Sequence, residues 1–174
     1  MQPTDSSKFT EQAWDAIVKS QDVARRFKNQ TLEVEHIILA LLEQEKGLAG
    51  RIFERANIDI PRLQQQLETF ASRQPKISAS DQLYLGRSLD IMLDRAETSR
   101  ESWQDKYISV EHLLIGFAED ERIGRRCLRN FNLDPQDLES CIKAIRGTQK
   151  VTEPNQEERY EALEKYGQIG RAHV

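Results

Sequence analysis

The chain has 174 residues, 38% of them hydrophobic and 31% charged, with a formal net charge of -4. That apolar content supports one modest globular core and argues against a disordered chain, while the acidic balance offers no clustered positive charge for nucleic acid. No stretch approaches the ~20 apolar residues of a membrane span, no apolar run after residues 1–7 marks a signal peptide, and Cys127 and Cys141, without a Cys-x-x-Cys, read as small core residues in a reducing cytosol rather than metal ligands.

In chain order, the spacing predicts a first helix over about 10–27. Phe9, Ala13, Ile17, Ser20, Ala24 and Phe27 share one stripe, and the Thr10 hydroxyl is its N-cap. A second helix over about 34–45 turns Val34, Ile37, Ile38, Leu41 and Leu42 inward. Gly47 and Gly50 punctuate a short third helix carrying Leu48, Ile52, Phe53 and Ala56. A fourth follows Pro61, whose missing N–H costs nothing in a first turn, and buries Leu63, Leu67 and Phe70. Residues 72–80, with Pro75 and small polar side chains, form a connector. The same pattern recurs at about 82–103, 109–120, 122–131 and 135–146, with Ser109 as a cap. No segment alternates with period two, so no strand is expected.

After Gly147 the apolar stripe stops, and residues 148–155 read as a linker. Residues 156–166 are charged and helix-prone, with Tyr160, Ala162, Leu163 and Tyr166 to bury; a lone helix of that length frays in water unless it packs on something. Residues 168–174 read as a cloning-derived tail outside the fold.

Self-similarity organises all of this. TLEVEHIILALLEQ at 31–44 aligns with YISVEHLLIGFAED at 107–120. After one deletion, Arg51-Ile52-Phe53 aligns with Arg126-Cys127-Leu128, and Asn57-Ile58-Asp59 with Asn132-Leu133-Asp134; upstream, Ala13, Ile17 and Phe27 align with Leu89, Leu93 and Trp103. The chain from 9 to 146 is therefore two copies of a unit of roughly 75 residues, each of four helices. The expectation is an all-α fold of about eight helices with pseudo-twofold symmetry and a C-terminal linker segment.

Few residues invite catalytic chemistry. Glu35-His36 and Glu111-His112 could be metal ligands or an acid–base pair. However, each pair opens its own helix and recurs with the duplication, as a structural role predicts, and a first-turn carboxylate favours the helix dipole. There is no nucleophile elbow or Cys-His pair, and no G-x-x-x-x-G-K-[ST] to cradle a phosphate. Basic pairs such as Arg125-Arg126 read as solvated helix faces. The seam between the copies is the natural place for a groove taking unfolded chains, with Phe9, Trp14, Trp103 and Tyr107 as candidate lining. Phe9 also sits on the core stripe, so it serves either purpose; Trp14, off the stripe, is expected to be exposed.

The duplicated unit with its V-E-H-[IL]-[IL] helix start resembles the Clp amino-terminal repeat domain. FTEQAWDAI, VEHIILALLEQE, YLGRSLDIMLDRAE and YISVEHLLIGFAEDERIG carry the likeness, and the exit RGTQKVTEPNQEERYEALEKYG resembles ClpB-type disaggregases in particular. The resemblance implies a cytoplasmic, non-catalytic module, 1–147, with repeats at about 9–72 and 82–147, joined by a linker at 148–167 to an absent ATPase. Such a module binds unfolded or aggregated polypeptide for threading by a homohexameric ring, in cooperation with an Hsp70-type system. The piece itself is expected to be monomeric, to need no cofactor and to bind neither nucleic acid nor membrane; ATP and magnesium belong to the missing modules. The resemblance also assigns substrate handling to a hydroxyl residue near the start and two acidic residues around the F/Y-I-S motif, here Ser6, in place of the family's common Thr, with Asp105 and Glu111. The alternative is that both acids cap or solvate a helix start. In ClpC-like relatives, glutamates matching Glu35 and Glu111 line phosphoarginine pockets, a ligand the exit sequence argues against. Two other readings are a free-standing accessory or adaptor-docking module of a Clp protease, disfavoured by the ATPase linker, and an active ATPase fragment, disfavoured by the missing phosphate loop.

Overall fold

The computed structural model describes residues 1–77 and 82–160. A 3-10 turn, Ser6–Lys8, leads into α1 (Glu11–Arg26), β1 (Thr31–Leu32), α2 (Val34–Leu42), α3 (Leu48–Arg55) and α4 (Ile60–Ser72). The second set is β2 (Tyr84–Leu85), α5 (Arg87–Ser102), α6 (Val110–Ala118), α7 (Gly124–Arg129) and α8 (Pro135–Arg146). This is the expected duplication of a four-helix unit. The backbone repeats in detail: Lys28 and Gln104, just past α1 and α5, take φ of 58° and 59°, and Asn57 and Asn132, just past α3 and α7, take 61° and 60°. All four are left-handed residues that close a helix and redirect the chain.

The caps follow the sequence. Thr10 accepts the Ala13 N–H, and Asp59 and Asp134 accept N–H groups of Arg62 and Asp137. Within each repeat the first two helices form a hairpin; between repeats, α2 meets α5 and α3 meets α6 and α8, so one continuous core runs through both. Gly116 shows how tightly the second hairpin closes: a Cβ there would lie 2.6 Å from the Met92 carbonyl oxygen. The corresponding first-repeat residues are Ala40 and Ala16, so the bulkier Met92 is matched by a glycine. Cys127 is buried and its thiol is pushed up to about 12 by that burial, while Cys141 is only half-buried.

Two expectations are corrected. The first concerns strands: β1 and β2 pair in parallel, Thr31 with Tyr84 and Leu32 with Leu85, and a parallel bridge joins Phe9 to Ile108. Each pairing joins the approach to a helix in one repeat with the approach to a helix in the other. Two residues are too few to show alternation, which hid them. The pairing also delays α5, expected from 82, until 87. Gly86 at its N-cap makes room for Glu33: a Cβ would fall 1.7 Å from Glu33 Oε1 and push that side chain out of its place. That oxygen accepts the Ser88 N–H (3.2 Å) and hydroxyl (2.9 Å), so a first-repeat carboxylate caps a second-repeat helix.

The second correction concerns the tail. Residues 148–160 pack back onto the domain rather than leaving it as a linker. Val151 and Tyr160 are fully buried, and Gln156 and Glu157 nearly so. The Val151 carbonyl accepts the Lys106 N–H at 2.7 Å, and the Pro154 carbonyl accepts the Glu11 N–H at 2.8 Å. The fraying expected of a lone helix does not apply to a turn at 156–160 whose apolar side is covered. The packed unit therefore extends to at least 160, while the remainder of the expected linker and the expected tail at 168–174 lie outside the described residues. Among the described residues, no helix is long and apolar enough to cross a membrane.

Candidate functional site

The two helix-opening histidines anchor equivalent polar clusters. His36 Nδ1 accepts the Glu33 N–H at 2.9 Å, which leaves Nε2 protonated to donate to Asn29 Oδ1 at 2.8 Å. Asn29 in turn donates to the Ala71 carbonyl at 3.1 Å. Burial holds His36 neutral, its pKa lowered to about 4. His112 repeats the arrangement: Nδ1 accepts the Ser109 N–H at 2.9 Å, and Nε2 donates to Asp105 Oδ2 at 2.7 Å. Asn29 and Asp105 are equivalent positions, so the second repeat carries a charge where the first carries an amide.

That charge is met by Arg146, the last residue of α8, at the position equivalent to Ala71. Its Nη2 lies 2.7 Å from Asp105 Oδ1 and its Nη1 2.9 Å from Oδ2, a bidentate pair; Nη1 also reaches Glu111 Oε2 at 3.2 Å. The Val151 N–H adds a bond to Asp105 Oδ1 at 2.9 Å. Burial raises the Asp105 pKa, but His112, Arg146 and the Val151 N–H outweigh it and hold the carboxyl far below its usual range. The guanidinium also lies over the Trp103 ring, 4.9 Å from its centroid, and Trp103 packs 5.7 Å from the His112 ring. Glu157, from the docked tail, completes the cluster. Its Oε2 accepts the Thr10 hydroxyl at 2.5 Å and the Val110 N–H at 3.1 Å. Burial and the neighbouring Glu111 charge push the Glu157 carboxyl up to about 7.

Glu35 is treated like Glu111. Arg122 Nη1 and Nη2 meet its two oxygens at 3.0 and 3.3 Å, and Nη1 also donates to Ser88 Oγ at 3.1 Å. Both helix-opening glutamates thus already hold a guanidinium from within the chain.

The resemblance offers Asp105 and Glu111 either as carboxylates that handle substrate or as caps of a helix start; they are 3% and 0% exposed, so neither carboxylate faces solvent. The reason is Arg146, which with His112 and the Val151 N–H supplies the donors that make burial tolerable. Ser6 is exposed on the 3-10 turn, beside Asp5. Phe9 is core at 4% exposure, its ring 5.5 Å from that of half-buried Trp14. Trp103 is half-buried beneath Lys143 and Arg146, and Tyr107 half-buried with Lys106 over its ring. The structure thus gathers Trp103, Asp105 and Glu111 in one interior cluster, with Phe9 and Trp14 nearby across Thr10, and leaves Ser6 apart.

An open groove does lie at the repeat seam, but at another place, between α4 and α7. It has a volume of about 360 Å³, with Arg62, Phe70 and Arg73 on one wall and Ile123 and Arg126 on the other, and none of the seven expected residues lines it. Sequence reasoning missed it, along with Arg146, Arg122 and Glu157. For Arg146 a signal existed: it falls one helical turn beyond Ile142 on the stripe of Leu138 and Ile142.

Residues 8–131 match the family described as the Clp repeat (R) N-terminal domain. The chain is 74% identical over 167 residues, 96% of its length, to "Chaperone protein ClpB 1" of Synechocystis sp., and 61% identical over the same share to "Chaperone protein ClpB 1" of Nostoc sp.. It spans 19% of the length of each of these relatives. Among solved structures, the Hsp104 N-terminal domain from Candida albicans superposes with a TM-score of 0.76 at 17% identity, over 86% of this chain and 99% of that one. The N-terminal domain of ClpD from Arabidopsis thaliana superposes at 0.60 with 20% identity, over 80% and 98%. These two likenesses concern the fold.

Proposed function

The chain belongs to the Clp repeat N-terminal domain family, and we propose that it is the substrate-engaging N-domain of an ATP-dependent ClpB-type disaggregase. In this reading it captures unfolded or aggregated polypeptide, which a hexameric ATPase ring formed by the rest of the protein then threads, in the cytoplasm and with an Hsp70-type partner. The observation that carries the reading is the 74% identity to a ClpB chaperone, which runs through 96% of this chain. The chemistry of the interior supports it: Glu35, His36, Asp105 and His112, which could suggest catalysis, are each held by internal partners. What remains for a ligand is surface, chiefly the open seam groove.

The test is a pair of titrations of the labelled chain, one with reduced, carboxymethylated α-lactalbumin, which cannot fold, and one with the native protein. Weak saturable binding of the unfolded form alone is expected, because a disordered client loses entropy on docking. Equal binding of the two forms, or of neither, contradicts the proposal.

A further inference from the structure

The seam groove has a chemical bias. Arg62, Arg73 and Arg126 line it and no carboxylate does, on a chain whose net charge is -4. Among the described residues none of the three forms an ion pair. Two are held in place by aromatic rings: Arg62 lies over Phe131, 5.4 Å from its centroid, and Arg126 over Phe70 at 5.9 Å. Arg126 spends one N–H on the Arg122 carbonyl (Nη2, 2.7 Å), while its other N–H groups and the guanidinium of Arg62 can take a carboxylate. Stacking also restricts the side chain before any ligand arrives, which lowers the entropy lost on binding.

Half-buried Phe70 and buried Ile123 give the groove an apolar floor. An occupant that fits this carries carboxylates for the arginines and an apolar side chain for the floor. A free inorganic anion has no apolar part; an extended peptide supplies both from its side chains.

We propose that the α4–α7 groove docks extended polypeptide segments in which carboxylate side chains flank an apolar residue. This rests on the reading that the domain engages unfolded chains, and it narrows their class. Charge complementarity selects such segments over basic ones, which meet three guanidiniums that form no ion pair among the described residues.

The probe is a fluorescein-labelled dodecapeptide of alternating Asp and Leu, with a counterpart in which Lys replaces Asp, titrated against the full chain by fluorescence anisotropy. The Asp peptide binds, its affinity falls as salt rises, and the Lys peptide binds about tenfold more weakly or less. Arg62→Glu with Arg73→Glu, both at exposed side chains, weakens the Asp peptide by at least about tenfold while the circular dichroism melt stays put. The single variant Thr69→Asp, which sets a carboxylate in the groove wall and leaves every arginine in place, weakens it in the same direction. Equal affinity for the two peptides, or binding insensitive to all these variants, overturns the proposal. Unfolded α-lactalbumin on the same proteins separates the two levels. If wild type binds it while the Asp peptide shows no preference, this inference fails alone; if wild type does not bind it, the broader reading fails.

Discussion

Arg146→Ala lowers the stability of the domain by roughly 3–5 kcal/mol, the cost of leaving buried charges without their partner. The guanidinium is 4% exposed and serves Asp105 with two bonds and Glu111 with one, and both carboxylates are buried. Removing it strands two negative charges where water cannot reach them, and Glu111 Oε1 already lacks a partner among the described residues. It also withdraws the bonds from Arg146 Nε and Nη2 to the Gln149 carbonyl, at 3.2 and 2.9 Å, which start the tail on its path back to the domain. The loss comes from the orphaned carboxylates, so Arg146→Met combined with Asp105→Asn and Glu111→Gln recovers most of it. Arg122→Ala is the comparison: it orphans one buried carboxylate, Glu35, rather than two, and its own side chain is 33% exposed, so water can enter in its place and the loss is smaller, about 1–3 kcal/mol. Urea unfolding followed by circular dichroism decides the matter; equal losses for the two single alanine variants would refute the assignment. A corollary concerns Asp105→Ala with Glu111→Ala. That pair unfolds part of the interior, so any loss of client binding it produces reports folding rather than a lost contact.

Docking of residues 148–160 weakens as pH rises from about 4.5 to about 7, a change worth roughly 3 kcal/mol at 1.36 kcal/mol for each pH unit of displacement. The group responsible is Glu157. The Thr10 hydroxyl at the start of α1, the Val110 N–H and Glu111 on α6, and Asp105 and Arg146 beyond them surround its site, with Tyr160 on its own turn. The docked carboxyl titrates above a free one, so the docked form holds the extra proton. Its contribution is complete below about 4.5, shrinks across the interval and is gone once the pH exceeds about 7. His36 acts in the opposite sense on global stability. Its pKa is lowered by burial, so its contribution is present above 6.5 and is lost as pH falls towards about 4. Protection of the Val151 amide, corrected for intrinsic exchange, therefore falls between pH 5.5 and 8 while amides in α2 do not follow it. Glu157→Gln removes the titration and flattens the Val151 profile. A wild-type profile that is flat or rises with pH would count against this picture.

Much of the fold was legible because the duplication lets each copy vouch for the other: two V-E-H helix starts and two apolar stripes with the same spacing. The structural role of His36 and His112 could be read the same way, since a site used once is not expected to recur in both halves. What escaped reading depends on partners distant in sequence. The strand pairs are two residues long and join opposite repeats. The tail looks marginal as an isolated helix, and contacts with the domain, at Thr10, Glu11, Asp105, Lys106 and Val110 among others, secure it. Asp105 and Glu111 looked like exposed acids because nothing local to them announces Arg146, 41 and 35 residues away. The seam groove is assembled from α4 and α7, and no local motif marks it.

The most direct test of the central claim follows the amide resonances of this chain during titration with reduced, carboxymethylated α-lactalbumin. A substrate-engaging domain whose interior histidines and Asp105 are held by internal partners predicts perturbations clustered on the α4–α7 surface, at Phe70, Arg126 and Asn130 among others. The amides of His36, Asp105 and His112 should stay in place, and native α-lactalbumin should leave the whole spectrum unmoved. A spectrum that the unfolded protein leaves unchanged, or that the native protein perturbs equally, would contradict the account.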